Sequence, residues 1–160
     1  ACLEDGTEVI LDQDQANTIN GYGVATFLNI NGYRLWGNNT CCYPGNTDPK
    51  DRWFAVRRFM SWAANTFILT YFQKVDNPMN RRLIEAIVDS ENIRGNSFVA
   101  RDICARYEIT FDEDENPVTD LINGKITFHQ YITPFVPAED IENIIEFDPY
   151  ALESALSGAA

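Results

Sequence analysis

The stretch Cys-Ala-Arg-Tyr-Glu-Ile-Thr-Phe at 104–111 decides the class of fold, because its apolar residues recur at every second position. Ala105, Tyr107, Ile109 and Phe111 fall on one side of an extended chain and Arg106, Glu108 and Thr110 on the other, the pattern of a half-exposed strand. Cys104 at its head reads as a small buried hydrophobe. Immediately upstream the period is different. Residues 50–72 place Trp53, Val56, Phe59, Met60, Ala63, Phe67 and Tyr71 at helical spacing. That helix has a clear start in Asp48-Pro49-Lys50-Asp51, where Asp48 can cap the free N–H groups and Pro49 suits the first helical position. Asn77-Pro78 repeats the signal for a second helix carrying Met79, Leu83, Ile84, Ile87 and Val88, which Arg94-Gly95-Asn96 is expected to break near residue 93, with a short helical piece over 97–102.

Farther out on the N-terminal side, residues 11–20 read as a short helix capped by Asp12 and ended by Gly21 and Gly23. Residues 24–30 are apolar on both sides, as expected of a central buried strand; Asn31-Gly32 is a turn, and 33–36 a second strand before a loop over 37–49. On the C-terminal side an acidic connection over 112–123 leads to a strand over 125–136, with Ile126, Phe128 and Ile132 opposite Thr127, His129 and Tyr131. Residues 139–148 can form one more strand, and 150–160 an alanine-rich tail with little to bury. The expectation is an α+β fold in two layers, a mixed β-sheet with helices packed on one face. It comprises one domain over 1–148 and a tail or arm over 149–160.

The chain's 160 residues, 45% hydrophobic and 12% aromatic, suffice for one domain with a true core. No apolar run approaches the ~18 residues a membrane span needs, and the first six residues are acidic where a signal peptide is basic, so a soluble protein without a membrane partner is expected. Cys2, Cys41, Cys42 and Cys104 contain no CxxC spacing, which fits a reduced setting. The net charge of −12 argues against nucleic acid as a partner. Its distribution is uneven: residues 1–49 hold six acids and one base, 50–106 six acids and ten bases, and 107–160 twelve acids and one base. Acidic flanks around a basic middle suit either uneven surface decoration or head-to-tail packing, in which the basic middle meets the acidic end of another copy or an acidic companion protein.

The same residues offer little chemistry. The single histidine, His129, lies on the polar face of a strand, and one histidine with an adjacent cysteine pair cannot easily supply four zinc ligands. Asp112-Glu113-Asp114-Glu115-Asn116 begins like a calcium loop but has Pro117 where the loop needs glycine and Asn123 where it needs a bidentate glutamate. No GxGxxG or P-loop is present. The expectation is a protein that is not an enzyme and takes no metal or other cofactor. The rival is a small hydrolase or metal-dependent enzyme built on the acidic loop.

Several segments in order resemble the C-terminal domain of contractile phage tail sheath proteins, a family extending to phage-tail-like bacteriocins and contractile injection systems. They are residues 17–24 (Asn-Thr-Ile-Asn-Gly-Tyr-Gly-Val), 32–40 (Gly-Tyr-Arg-Leu-Trp-Gly-Asn-Asn-Thr) and Val56-Arg57-Arg58-Phe59. Asn116-Pro117 with Thr119, Gly124-Lys125-Ile126, and Thr133-Pro134 followed by Pro137-Ala138-Glu139 complete the set. The resemblance covers about residues 14–148 and implies a structural subunit that assembles with copies of itself, in hexameric rings, around a tail tube. Contraction would drive that tube through a host envelope. It further implies a location in the virion tail, assembly in the bacterial host cytoplasm, and arms from neighbouring subunits that add strands to the sheet. Residues 139–148 are the candidate arm strand, with Ile141, Ile145 and Phe147 as anchors on one face. Arg57, Arg58, Arg81 and Arg82 are the candidates for contact with the tube protein.

Overall fold

A computed structural model describes residues 4–6, 8 and 10–157. Cys2 and the last three residues of the expected tail lie outside the described residues. Helix α1 (Gln13–Gly21) starts with a reciprocal cap: the Asp12 carboxylate accepts the Gln15 N–H at 2.7 Å, and the Gln15 side chain accepts the Asp12 N–H at 3.3 Å. Strands β1 (Thr26–Asn29) and β2 (Tyr33–Trp36) pair antiparallel, joined through Asn31 and Gly32, both at positive φ. The expectation that residues 24–30 form a central buried strand is corrected here. Among the described strands β1 pairs with β2 alone; Leu28 is buried while Phe27 on the other face is 53% exposed.

The single long helix expected over 50–72 is two: α2 (Pro49–Arg52) and α3 (Phe54–Tyr71), separated by Trp53 in an extended conformation. The loop before the helix causes the break. Residues 38–40 run antiparallel to the junction, so the Thr40 N–H donates to the Arg52 carbonyl at 2.7 Å and the Phe54 N–H to the Asn38 carbonyl at 2.8 Å. Those backbone groups cannot also serve the helix ladder. Asp48 caps α2 as expected, accepting the Lys50 N–H, which with the Lys50 side chain holds its carboxyl below the usual carboxylate range.

A short 3₁₀ turn (Phe72–Lys74) leads toward α4 (Arg81–Val99), whose cap is Asn80 rather than Asn77. Nor does Gly95 break this helix. It is buried against β3 (Cys104–Thr110), where a Cβ would lie 2.5 Å from the Tyr107 carbonyl oxygen, so glycine is what allows helix and strand to touch. Strand β3 pairs antiparallel with β4 (His129–Pro134) across a connection containing α5 (Val118–Ile122). An irregularity between Cys104 and Arg106 turns Ala105 outward and lets both Cys104 and Tyr107 face inward, against the strict alternation expected.

Helices α3 and α4 run antiparallel and cover one face of β3–β4. Ala63, Cys104 and Tyr107 form the buried centre, with Phe59, Phe98 and Ile132 packed around it. Burial pushes the Cys104 thiol pKa up, as befits an unreactive core residue. The class is therefore α+β as expected, but the described strands form two separate antiparallel pairs rather than one mixed sheet. The strand anticipated over 139–148 has no regular structure. A final helix, α6 (Pro149–Leu156), is capped by Asp148 and buries nothing.

Candidate functional site

Three elements converge where the chain leaves the packed domain. The guanidinium of Arg52, the last residue of α2, lies over the ring of Tyr43 at 4.5 Å and over that of Trp53 at 4.2 Å. Its Nε donates to Asn39 Oδ1 at 3.1 Å and its Nη2 to Glu139 Oε2 at 2.6 Å. Glu139 Oε1 also accepts from the amides of Asn39 (3.3 Å) and Asn20 (3.4 Å), and the Asn39 amide donates in addition to Asn20 Oδ1 at 3.2 Å. Gly37 is required here, since it holds φ 111° and a Cβ would lie 2.6 Å from Asn20 Oδ1. Beside this network an open cleft of about 670 Å³ is lined by Leu35, Trp36, Trp53, Phe54 and Pro137 among others.

Past Glu139 the packing stops. Ile141, Ile144, Ile145 and Phe147 are 83%, 81%, 87% and 79% exposed. The β1–β2 pair is partly open as well, because Phe27, Tyr33 and Leu35 all present more than half their surface to water, although the Tyr33 hydroxyl donates to Glu8 Oε1 at 2.7 Å. The outer face of β3–β4 is polar instead. There Arg106 lies over the Tyr131 ring at 4.2 Å, and His129 stacks on Tyr131 at 4.4 Å while its Nδ1 sits 2.8 Å from Glu115 Oε1.

The four arginines singled out in the sequence are exposed, but the fold does not gather them. Phe59 meets Phe98, and Tyr71 meets Ser90, so the start of α3 lies beside the end of α4. Arg57 and Arg58 therefore occupy one end of the helix pair and Arg81 and Arg82 the other. Arg57 pairs with Asp51 at 3.1 Å and Arg81 with Glu85 at 2.7 Å. The acidic loop is a folded turn. Asn116 is buried, its amide donating to the carbonyls of Asp112 (2.7 Å) and Thr127 (2.9 Å), and the Asp112 carboxylate accepts the Asp114 N–H at 2.9 Å. Among the described residues no three His, Cys, Asp or Glu side chains are grouped to hold a metal ion. Cys41 and Cys42 are free and exposed.

Sequence reading missed a second polar cluster, inside the core. Glu91 is fully buried on α4, its Oε1 accepting from Arg94 Nη1 at 2.6 Å and its Oε2 lying 3.4 Å from the Tyr107 hydroxyl. Arg94 Nη2 reaches Thr70 Oγ1 at 3.1 Å, which ties α3 to α4. Burial, assisted by the Glu91 carboxylate, pushes the Tyr107 hydroxyl pKa up to about 12. Nothing in the sequence around Glu91 distinguished it from the exposed acids of the same helix. Arg52 was equally silent, because its partners are 13 and 87 residues away.

No family model matches the chain. Among curated proteins it is similar to the major tail sheath protein of Serratia phage KSP20, 27% identical over 147 residues, covering 91% of this chain and 36% of that protein. It is similar also to the tail sheath proteins of Escherichia phage P2 (29% identical, 79% of this chain and 31% of that one) and Burkholderia phage BcepMu (30%, 79% and 27%). The chain thus spans about a third of the length of the curated relatives it matches. In fold it is similar to a chain of the anti-feeding prophage baseplate, 6-fold symmetrised, with a TM-score of 0.75 at 18% identity over 89% of this chain and 41% of that one. The sheath complex of an extracellular contractile injection system in its contracted state gives 0.71 at 17% identity, over 94% and 45%. The resemblance to contractile sheath proteins read from the sequence motifs is borne out over most of the chain.

Proposed function

Starting from this likeness to contractile tail sheaths, we propose that the chain is a structural, non-catalytic part of a sheath whose copies assemble in hexameric rings around a tail tube. Contraction of those rings drives the tube through a host envelope. The particle is a virion tail put together in the bacterial host cytoplasm. One observation carries this reading. A segment with four large apolar side chains in water, residues 141–147, coexists in one chain with a two-stranded pair whose apolar face is more than half exposed at Phe27, Tyr33 and Leu35. Each is half of a joint, and a second copy supplies the other half.

Residues 140–160 are the arm. Ile141, Ile145 and Phe147 share the parity of one strand face, and the β1–β2 pair of a neighbour is the acceptor, since Phe27, Tyr33 and Leu35 offer it apolar cover. Main-chain hydrogen bonds across the added strand hold neighbours together while they rotate past one another. Arg57 with Arg58, and Arg81 with Arg82, face an acidic tube protein as two separate contacts at the two ends of the α3–α4 pair.

Deleting residues 140–160 tests the joint. The expected product keeps its far-ultraviolet circular dichroism per residue for the remaining elements and sediments as a monomer at concentrations where the full chain forms oligomers or tubes. A shortened chain that still oligomerises at the same concentration overturns the assignment of the arm.

A further inference from the structure

We propose that Arg52 is the positioning residue of the C-terminal arm: through Glu139 it fixes the point and direction in which residues 140–160 leave the domain. This rests on the reading of those residues as an assembly arm. The contrast on either side of Glu139 is the first ground. Its carboxylate receives one guanidinium and two amides from three different stretches of chain, whereas Ile141, two residues on, is 83% exposed.

The second ground is how completely Arg52 is itself held. Two rings lie against it, Nε is engaged by Asn39, and Asn39 is bridged to Trp53 at the break between α2 and α3. The Arg52 side chain is 24% exposed and that of Glu139 39%, so the ion pair is shielded from solvent on its arginine side only. A guanidinium immobilised before it meets the carboxylate gives up little further freedom on pairing, and a charge-assisted bond of 2.6 Å in that setting outweighs an ordinary surface pair. The break in the helix thereby acquires a purpose: it turns Arg52 and Trp53 toward the root of the arm.

The test uses the monomeric full chain and a glutamate-specific endopeptidase. The bonds after Glu142 and Glu146 lie in the arm, the bond after Glu139 lies at the anchor, and the bond after the fully buried Glu91 reports global unfolding. Arg52→Ala is expected to accelerate cleavage after Glu139 by on the order of tenfold, with cleavage after Glu142 unchanged and none after Glu91. Should Arg52→Ala expose Glu91, Arg52→Lys replaces it, keeping the charge but losing the bond to Asn39, with a smaller acceleration confined to Glu139. An unchanged rate after Glu139 in the folded variant overturns the proposal. In parallel, the concentration at which the variant oligomerises is expected to rise. Release of the arm with oligomerisation at the wild-type concentration also overturns it, while a wild-type chain that never oligomerises sinks the sheath reading and leaves the protease comparison to judge the anchor.

Discussion

At the scale of single residues, the buried Glu91 side chain governs what surrounds it. Glu91 is tolerated in the core because Arg94 and the Tyr107 hydroxyl hydrogen-bond to it, and the same environment keeps Tyr107 protonated up to about 12. In the unfolded chain a tyrosine hydroxyl loses its proton near 10. Below that value both states keep the proton and Tyr107 contributes no pH dependence. Between 10 and about 12 the unfolded state releases a proton that the folded state retains, so stability falls as pH rises. Urea midpoints measured from pH 8 to 11.5 should decline above pH 10 for the native chain and decline less for Tyr107→Phe. Equal slopes in the two proteins would remove Tyr107 from the account.

At the scale of elements, the contact between α4 and β3 sets the thickness of the core. Gly95→Ala adds about 1 kcal/mol of intrinsic helix preference, but the new methyl meets the backbone and ring of Tyr107, and overpacking of that kind costs roughly 1–3 kcal/mol or more. Because backbone cannot rotate aside, the net change is expected to be destabilising by ~2 kcal/mol, read from denaturant unfolding; a stabilised variant would show that α4 and β3 are loosely joined. This glycine also marks the boundary of what the sequence discloses. Local signals were legible: the Asp12 and Asp48 caps, the Asn31-Gly32 turn, β2 and the change of period at Cys104 all stand where the residues place them. Features set by distant partners were not. Gly95 mimics a helix breaker until Tyr107 is seen against it, Trp53 looks helical until residues 38–40 pair alongside, and Ala105 fits the alternation until the bulge opposite Thr133 and Pro134 moves it out. For the candidate site, the motif residues Asn20, Asn39 and Glu139 were visible as fragments, while Arg52, which joins them, was visible only in three dimensions.

At the scale of the whole molecule, charge is segregated along the chain: the segment 50–106 is rich in bases and 107–160 holds twelve acids against one base. If acidic arm meets basic middle between copies, long-range attraction speeds and orders their encounter, and screening weakens it. Self-association followed by sedimentation should therefore require higher protein concentration at 0.5 M than at 0.05 M salt, the Debye length shrinking from roughly 14 to 4 Å. Association that strengthens with salt would point to apolar contact alone. The exposed segment 141–147 also bears on the solubility of the free chain. Adjacent Ile144 and Ile145 with nearby Phe147 make a short β-prone run, the kind that stacks indiscriminately into insoluble fibres. Asp140, Glu142, Glu146 and Asp148 punctuate that run with mutual repulsion. On the reading of 140–160 as an assembly arm, those acids would keep an unassembled chain dissolved until a matching surface arrives.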